Sequence, residues 1–295
     1  MKLSAPDISY QICCFLFLAI AGFSVAYPLI YVVSCSFSSP EAIAVGKVLL
    51  WPVEFSLASY KAVFNHSLIR SGFLNSIFYV AGGTTVSVSL ILLCAYPLSR
   101  RDIPDRKFFL TYFVITMFFS GGIIPSYLLM RNLHLVGSRW ALVVGAGFSC
   151  YNMIIVKSYF QTSLPAGILD AAHIDGCGDV RFFFTIALPL AAPVIAVMVL
   201  FNAVGIWNSY FSGMMYLTKP GTFNFQMVLR DILFIAQVPP EMVAIMDPGG
   251  MAALQELFQQ LRYAVLVVGA LPMMILYPFI QQYFIRGMMI GSLKE

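Results

Sequence analysis

The residues of this chain whose types and spacing could do chemistry lie in one stretch, DAAHIDGCGDVRFFFTIALP, from Asp170 to Pro189. The stretch is polar at its start, rich in small residues in its middle and closed by a proline. Asp170 places a carboxylate early in a predicted short helix, where the helix dipole favours it and a basic group of a partner could reach it. Ala171 and Ala172 leave one side of that helix almost flat, so another protein could come close. The chemistry indicated is docking onto a partner.

The short helix is predicted between Ser163 and Gly176. Ser163 can act as its cap, Pro165 suits its first turn and Gly176 suits the position after its end. A helix this short is marginal by itself, so it must dock on something. We expect Gly176 to have a positive φ, where a side chain would cost on the order of 1 kcal/mol.

No catalytic motif accompanies this stretch. The sequence contains no G-x4-G-K-[ST] loop to cradle ATP, no HExxH and no GxSxG. Its three histidines lie far apart and no carboxylate pair falls within an apolar run, so neither a metal site nor an enzymatic activity is predicted. A proton-coupled transporter usually carries an intramembrane Asp, Glu or His. The absence of such a residue favours energy delivered through a partner.

The composition is that of a polytopic membrane protein surrounded by lipid. Of its 295 residues, 60% are hydrophobic and only 10% are charged, whereas soluble domains carry about 25% charged residues. Most of the six cysteines fall in apolar runs, so no disulfide framework is predicted. Nothing in the sequence indicates binding to a nucleic acid.

Six apolar runs reach the length of about 20 residues that a spanning helix needs. They are 11–34, 73–98, 108–130, 140–161, 183–209 and 264–285. The first run imitates a secretory signal, but it continues past the small residues that resemble a cleavage site, so we interpret it as an uncleaved span. We therefore expect an all-α membrane protein, with one transmembrane domain over 1–295, a loop at 163–185 and a long loop at 211–262.

Lys and Arg in short loops predict the orientation. The second loop holds the basic cluster Arg100, Arg101, Arg106 and Lys107. This places the N-terminus, the second loop, the loop 163–185 and the C-terminus in the cytoplasm, and the loop 211–262 outside. Arg131 and Arg139 lie in the third loop and oppose this assignment.

Local signals modify several of these elements. Gly121-Gly122 followed by Pro125 predicts a bend or an unwound turn in the third run. Gly82-Gly83 in the second run predicts close packing of helices. In the long outer loop, Phe225 to Gln237 is predicted to form a short amphipathic helix.

The opening stretch resembles the EAA loop of binding-protein-dependent ABC importer permeases, EAA-x3-G-x9-I-x-LP. The matching positions are Asp170, Ala171, Ala172, Gly176, Ile186, Leu188 and Pro189. Only Asp170 departs from the pattern, where Glu is usual, and it keeps the charge. In that family the loop is a cytoplasmic coupling helix that inserts into a groove of the ATPase subunit. The resemblance implies that role for these positions and for Asp175, while a helix lying on the membrane surface is the alternative.

Other segments resemble the maltose-type carbohydrate permeases. Asn75-Ser76 begins the second run, Ala95-Tyr96 with Arg100 ends it, and Trp207-Asn208 matches a pair in the fifth run of that family. The run Thr116 to Leu133 resembles a subgroup that includes importers for pectin- and alginate-derived chains. A Gly-rich tail that in this family reaches toward the ATPase is represented by Gly287, Gly291 and Ser292.

The resemblance implies the type I ABC importer permease fold and the membrane subunit of an ATP-driven importer of oligosaccharides, in the cytoplasmic membrane of a bacterium. Its implied partners are a second homologous permease, two ATPase subunits that bind ATP and Mg²⁺, and an extracytoplasmic solute-binding protein. This chain itself would hold no cofactor. The implied cargo is an oligosaccharide, with uronic-acid-containing chains among the candidates.

Sugar recognition uses aromatic faces and neutral hydrogen-bonding groups. Side chains of these kinds that could line the translocation path are Tyr79, Tyr127, Asn152, Asn202, Trp207, Asn208 and Tyr210. Packing or anchoring at the membrane interface is the alternative role for each of them.

Two other functions are open at this point. A different cargo, such as an amino acid, phosphate or a polyamine, is compatible with the EAA loop, although the sugar-type features of the second and fifth runs and of the tail argue against it. A non-transporting sensor or scaffold would need an output domain, and we do not expect one.

Overall fold

A computed structural model describes residues 5–237 and 250–292 of the chain, and every regular element in these ranges is a helix. The first eight are α1 (Ala5–Ser36), α2 (Pro40–Ala44), α3 (Ala58–Asn65), α4 (Ser67–Ser99), α5 (Arg106–Phe118), α6 (Ile123–Asn132), α7 (Trp140–Gly145) and α8 (Cys150–Ser163). They are followed by α9 (Ala166–Ile174), α10 (Asp179–Phe182), a π-helical turn (Phe183–Ala187), α11 (Leu188–Leu190), α12 (Ala192–Trp207), α13 (Tyr210–Tyr216), a 3-10 turn (Pro220–Thr222), α14 (Phe225–Gln237) and α15 (Gly250–Ser292). Part of the predicted outer loop, 238–249, lies outside the described residues.

Three of the described helices are long and apolar enough to cross a membrane. They are Tyr10–Ser36 within α1, the whole of α4, and Leu257–Phe279 within α15. Two bent pairs of helices are also long and apolar enough if each pair counts as one span. The described residues then contain up to five spans. The backbone of α15 continues to Ser292, so the tail positions Gly287, Gly291 and Ser292 extend this helix, but their side chains lie outside the described part.

The third apolar run is broken, as its glycines predict. The axes of α5 and α6 differ by 112° across the break. Gly122 has φ 84°, which the absence of a Cβ makes inexpensive, and it is the N-cap residue of α6. The fourth run is also interrupted, between α7 and α8, where Gly147 has φ 60° and the side chain of Ser149 caps α8. Neither α7 nor α8 is long enough to span a membrane alone.

The fifth run is bent too. The axis through α10 and α11 makes an angle of 78° with α12, and Ala191 is the residue between them. Pro189 falls in the short α11 and Pro193 in the first turn of α12. A proline donates no backbone hydrogen bond and tolerates only the start of a helix, so two prolines four residues apart favour a helix end followed by a new start.

The chain divides into two compact units. The first comprises Met1–Arg70 and Leu229–Ala270. Its first loop is folded back on the end of α1, since Ser34 Oγ donates to the Leu50 carbonyl at 2.6 Å and Ser39 Oγ donates to Glu54 Oε2 at 2.7 Å.

The second unit comprises Ser71–Val228 and Leu271–Glu295 and contains two hydrophobic clusters. One cluster surrounds the end of α4 and includes the buried rings of Tyr96, Phe160 and Phe182. The other surrounds Tyr79 and includes residues of α7 and α13. Tyr79 and Ser99 are twenty residues apart on α4, which corresponds to about 30 Å and to the hydrocarbon thickness of a membrane.

The two remaining local predictions are confirmed. α14 has the predicted bounds, and its residues Phe225, Val228 and Ile232 are buried. An added Cβ at Gly83 would lie 2.8 Å from the Ile206 Cδ1 atom, so glycine permits the close approach of α12 to α4.

Candidate functional site

The helix α9 has one face against its own chain and one face exposed. Leu169 and Ala172 pack inward on the cluster at the end of α4, and Ala172 is only 7% exposed. Ile168, Ala171 and Ile174 lie at spacings of three on the other face, and all three are exposed. Ile174 is 87% exposed. A short helix thus carries an anchored apolar face and a second apolar face that is open to a partner.

Two expectations for this helix are wrong. Ala172 does not lie flat on a partner, because it shares a face with Leu169 and belongs to the core of its own chain. Ser163 is not the cap, because it ends α8, and Pro165 precedes α9 as an N-cap residue whose side chain makes no capping hydrogen bond. Since Pro165 has an extended ψ of 144°, the helix can begin only at Ala166.

The C-terminal end of α9 is a Schellman motif centred on Gly176, as the sequence predicts. Gly176 has φ 73°. Its N–H donates to the His173 carbonyl at 3.0 Å, and the Cys177 N–H donates to the Ala172 carbonyl at 2.8 Å. These two bonds satisfy carbonyls at the helix end and turn the chain sharply. The direction of the chain leaving α9 therefore depends on one left-handed residue.

An ion-pair network fixes the segment after the turn. Arg100, next to the end of α4, bonds both Asp102 and Asp179, and its side chain is only 11% exposed. His173 Nε2 lies 3.3 Å from the same Asp179 carboxylate. Arg106 in turn donates to the Arg100 carbonyl at 3.1 Å. The network therefore connects α9 and the first residue of α10 to the loop that follows α4.

The electrostatics of this network follow from its hydrogen bonds. The hydrogen bonds from Arg100 hold the pKa values of Asp102 and Asp179 below their usual range. The same bonds raise the pKa of Arg100. Both carboxylates therefore stay ionised to a more acidic pH than an ordinary Asp, and the attachment persists over that wider range. Sequence reasoning missed this pairing, because the two partners are 79 residues apart.

The other motif positions shape the same region. Ile186 and Leu188 pack against the cluster at the end of α4, while Pro189 is exposed at the bend before α12. Asp170 and Asp175 are exposed, and neither forms an ion pair with another described residue. A cavity of about 710 Å³ lies between α9 and the end of α4. Among the residues that line it are Arg100, Arg101, Arg106, Leu169, Asp170 and His173.

Two of the predicted sugar contacts are buried in packing roles. Tyr79 is 1% exposed, and its hydroxyl donates to the Thr222 carbonyl at 2.6 Å. Trp207 is 2% exposed, stacks on Phe225 and meets Phe73 edge to face. Neither side chain presents a surface to a ligand, so for both the packing alternative is the correct one. For a Tyr or Trp in an apolar run, the sequence alone does not distinguish packing from contact with a ligand.

Asn202 keeps a more open position. It accepts a hydrogen bond from Ser87 Oγ at 2.8 Å and donates to the Met198 carbonyl at 2.8 Å. It also lines a cavity of about 230 Å³ among α7, α12 and α13. Small and polar residues dominate this cavity, and they include Gly145, Ala146, Asn202, Gly205, Ser209 and Ser212.

The other four candidates are accessible at least in part. Asn152 is half-buried near the start of α8, and Asn208 is exposed after α12. Tyr127 stacks parallel to Tyr216, with ring centroids 6.4 Å apart. The Tyr210 hydroxyl lies 3.2 Å from a methionine sulfur. The structure thus brings Asn202 to this cavity, and none of these four residues is among those that line it.

Replacing Trp207 by alanine should destabilise the protein. Loss of a buried, stacked indole costs about 3 kcal/mol, so the melting temperature of the purified permease should fall clearly. The exposed neighbour supplies the control, because Asn208→Ala should change the free energy of unfolding by less than about 0.5 kcal/mol. If Trp207→Ala instead left the melting temperature unchanged and impaired sugar uptake, the result would support a direct contact between Trp207 and the sugar.

Comparisons with known proteins agree with this architecture. The chain is 38% identical over 267 residues to the polygalacturonan/rhamnogalacturonan transport system permease protein YtcP of Bacillus subtilis, covering 90% of this chain and 92% of that protein. It is 26% identical over 303 residues to the maltodextrin transport system permease protein MdxG of the same organism, covering both chains in full. No family model matches the chain.

A solved structure shares the fold over almost the whole length. It is a crystal structure of a bacterial ABC transporter involved in the import of the acidic polysaccharide alginate, and one of its chains superposes with a TM-score of 0.85. The two chains are 30% identical, and the match covers 96% of this chain and 99% of the other. The chain belongs to the permease family of ABC sugar importers. In this family the transport subunit is not itself an enzyme.

Proposed function

We propose that this chain is one of two permease subunits of an importer that moves oligosaccharides into the bacterial cytoplasm, with ATP and Mg²⁺ bound by two separate ATPase subunits. A solute-binding protein outside the cell would deliver the sugar. The observation that carries the proposal is the outward apolar face of α9 on a helix that is anchored on its other side. An exposed apolar surface of this kind is typical of a site that docks on a protein or on a membrane surface, and the match of this segment to the EAA loop favours a protein.

The anchoring gives the proposed coupling step a physical basis. Leu169 and Ala172 attach α9 to the cluster at the end of α4, and Arg100 attaches the start of α10 to the same place. Movement of an ATPase groove against Ile174 would therefore be transmitted to α4 and α10, since close-packed cores move as rigid bodies. The proposed coupling residues Asp170 and Asp175 remain exposed and available to basic groups of the partner.

We further propose six crossings, with both termini in the cytoplasm. The helices α1, α4 and α15 would each cross once, and the broken helices α5–α6 and α10–α12 would each count as one crossing. The interrupted pair α7 and α8 would form the sixth crossing. Irregular backbone is tolerated at membrane depth where it lines a cavity or is buried in protein. The tail at Gly287, Gly291 and Ser292 would then lie on the ATPase side.

The orientation can be measured by thiol labelling of intact cells in a variant without native cysteines. We expect a cysteine at Gly221 to react with an impermeant reagent and one at Arg101 to be protected until the membrane is permeabilised. Both positions are exposed in the fold. Ser39, which the sequence alone would suggest for the same purpose, is buried and bonded to Glu54. Labelling of Arg101→Cys from outside would overturn the orientation.

The cargo proposed is an oligosaccharide, and uronic-acid-containing chains are the leading class. Two relatives support this, since one is named for polygalacturonan and rhamnogalacturonan transport and the other for import of alginate. The test is ATP-dependent uptake into vesicles that hold the complete importer. Uptake of uronate or neutral oligosaccharides supports the proposal, whereas uptake of amino acids, phosphate or polyamines alone would refute it.

A further inference from the structure

A group of exposed cations lies at the end of the second unit that is remote from α9. It consists of Arg131, Arg139 and Lys219, which we call the cationic rim. None of these side chains forms an ion pair within residues 5–237 and 250–292. The rim therefore presents its charge without compensation from any described residue.

Backbone contacts bring the parts of the rim together. The loop between α6 and α7 lies against the end of α13, because the Gly137 N–H donates to the Tyr216 carbonyl at 2.7 Å. Lys219 follows α13, and its carbonyl accepts the Thr222 N–H at 2.8 Å. The Thr222 carbonyl in turn accepts a hydrogen bond from the Tyr79 hydroxyl at 2.6 Å. Segments far apart in sequence thus converge on one surface.

Within Ser71–Val228 the carboxylates are confined to one end. Between Ser71 and Val228 the sequence contains five carboxylates, all within 102–105 and 170–179. These ranges adjoin α9 and the end of α4, about 30 Å from Tyr79 along α4. Positive charges in a short outer loop also oppose the usual bias that keeps Lys and Arg in the cytoplasm. A local function of the rim would explain why they lie there.

The surroundings of the rim suit a saccharide. Trp140 directly follows Arg139, is 56% exposed and offers an aromatic surface beside the charges. From there α7 leads over five residues to Gly145, a distance of about 7.5 Å along the helix. Gly145 lines the cavity that also contains Asn202 and Ser212. Cations, an aromatic ring and hydrogen-bonding groups therefore follow one another from the loop before α7 to the end of α7.

We infer that the cationic rim binds the carboxylate groups of an acidic saccharide and guides it toward the cavity among α7, α12 and α13. The inference rests on the proposed function, because it assigns a recognition surface to the proposed cargo. A cleft or surface of one charge sign raises the local concentration of an oppositely charged ligand. An acidic face of the binding protein is the competing partner, but it would not require the adjoining aromatic ring and polar cavity.

The test measures direct binding of a fluorescent galacturonic-acid trimer to the complete permease–ATPase complex in lipid nanodiscs, without the binding protein. The rim variant combines Arg131→Gln, Arg139→Gln and Lys219→Gln. We expect its Kd for the acidic trimer to rise on the order of tenfold, as the loss of three exposed charge contacts predicts. Added salt should weaken wild-type binding in the same direction. A neutral galactose trimer should bind both proteins equally.

The matched control removes three exposed cations of the first unit, with Lys47→Gln, Lys61→Gln and Arg70→Gln. It should bind the acidic trimer as the wild type does. A variant that keeps the positive charges, with Arg131→Lys and Arg139→Lys, should also keep most of the affinity for the acidic trimer. This result would exclude misfolding as the cause of weaker binding by the rim variant.

Equal affinity of the wild type and the rim variant for the acidic trimer would overturn the inference. Weaker docking of the binding protein on that variant would then assign the rim to the binding protein. Failure of the proposed function is seen separately, as absence of any oligosaccharide uptake by the complete importer, because the binding measurement needs no transport.

Discussion

Replacing Gly176 by valine should reduce ATP-dependent uptake by about tenfold or more, while the permease still inserts and pairs with its partner. An added Cβ at this position would meet no atom within 4 Å, so the Cβ itself creates no clash. Its cost arises from φ 73°, where a side chain is unfavourable by about 1–2 kcal/mol, and 1.4 kcal/mol corresponds to about tenfold in an equilibrium. The variant relieves the strain by changing the turn, and this redirects the chain that leaves α9.

Gly178 provides the matched control. An added Cβ there would also meet no atom within 4 Å, but its φ of −72° is an ordinary value for any residue. Gly178→Val should therefore keep its ATPase subunits and its uptake. The measurement is co-purification of the ATPases together with uptake by reconstituted vesicles. Equal behaviour of the two variants would contradict the role of the Gly176 turn.

Replacing Ile174 by aspartate should release the ATPase subunits without destabilising the permease. The side chain is 87% exposed within this chain, so its replacement removes no internal contact. In the proposed complex it would be buried, and loss of an apolar side chain of this size costs about 1.5–3 kcal/mol. A charge left without a partner adds to that loss. The dissociation constant for the ATPase should rise by about a hundredfold.

Two further variants make this result specific. Ile174→Leu keeps an apolar side chain of similar volume and should keep the ATPases. Ala172→Leu places bulk on the opposite face, in the cluster at the end of α4, and should lower the melting temperature by overpacking at a cost of about 1–3 kcal/mol. A normal complex with Ile174→Asp, measured by co-purification, would exclude this face from the interface.

The sequence was sufficient to predict features whose signal is local. The bend at Gly121-Gly122, the helix Phe225–Gln237 and the left-handed Gly176 each depend on residue types within one turn of the chain. The structure confirms all three. Family membership was predictable for a similar reason, because the EAA pattern is contained in the single stretch from Asp170 to Pro189.

Features that depend on distant partners were not predictable. Ala171 and Ala172 are identical neighbours, and only the packing of α9 on α4 decides that the second is buried. Arg100 and Asp179 are far apart in sequence, so their pairing leaves no spacing signal. Trp207 and Asn208 looked alike as sugar contacts, yet one is enclosed by aromatic rings and the other is exposed. Composition alone cannot separate packing from ligand contact at such positions.

The central claim is that the exposed face of α9 docks on the ATPase, and cross-linking tests it most directly. Single cysteines replace Ile174 or Gly221, both exposed, in the complete importer without other cysteines, and each is fitted with a short photoactivated cross-linker. We predict that Ile174→Cys becomes joined to an ATPase subunit in high yield and that Gly221→Cys does not. Cross-linking of Gly221→Cys to the ATPase, with none at Ile174→Cys, would contradict the account.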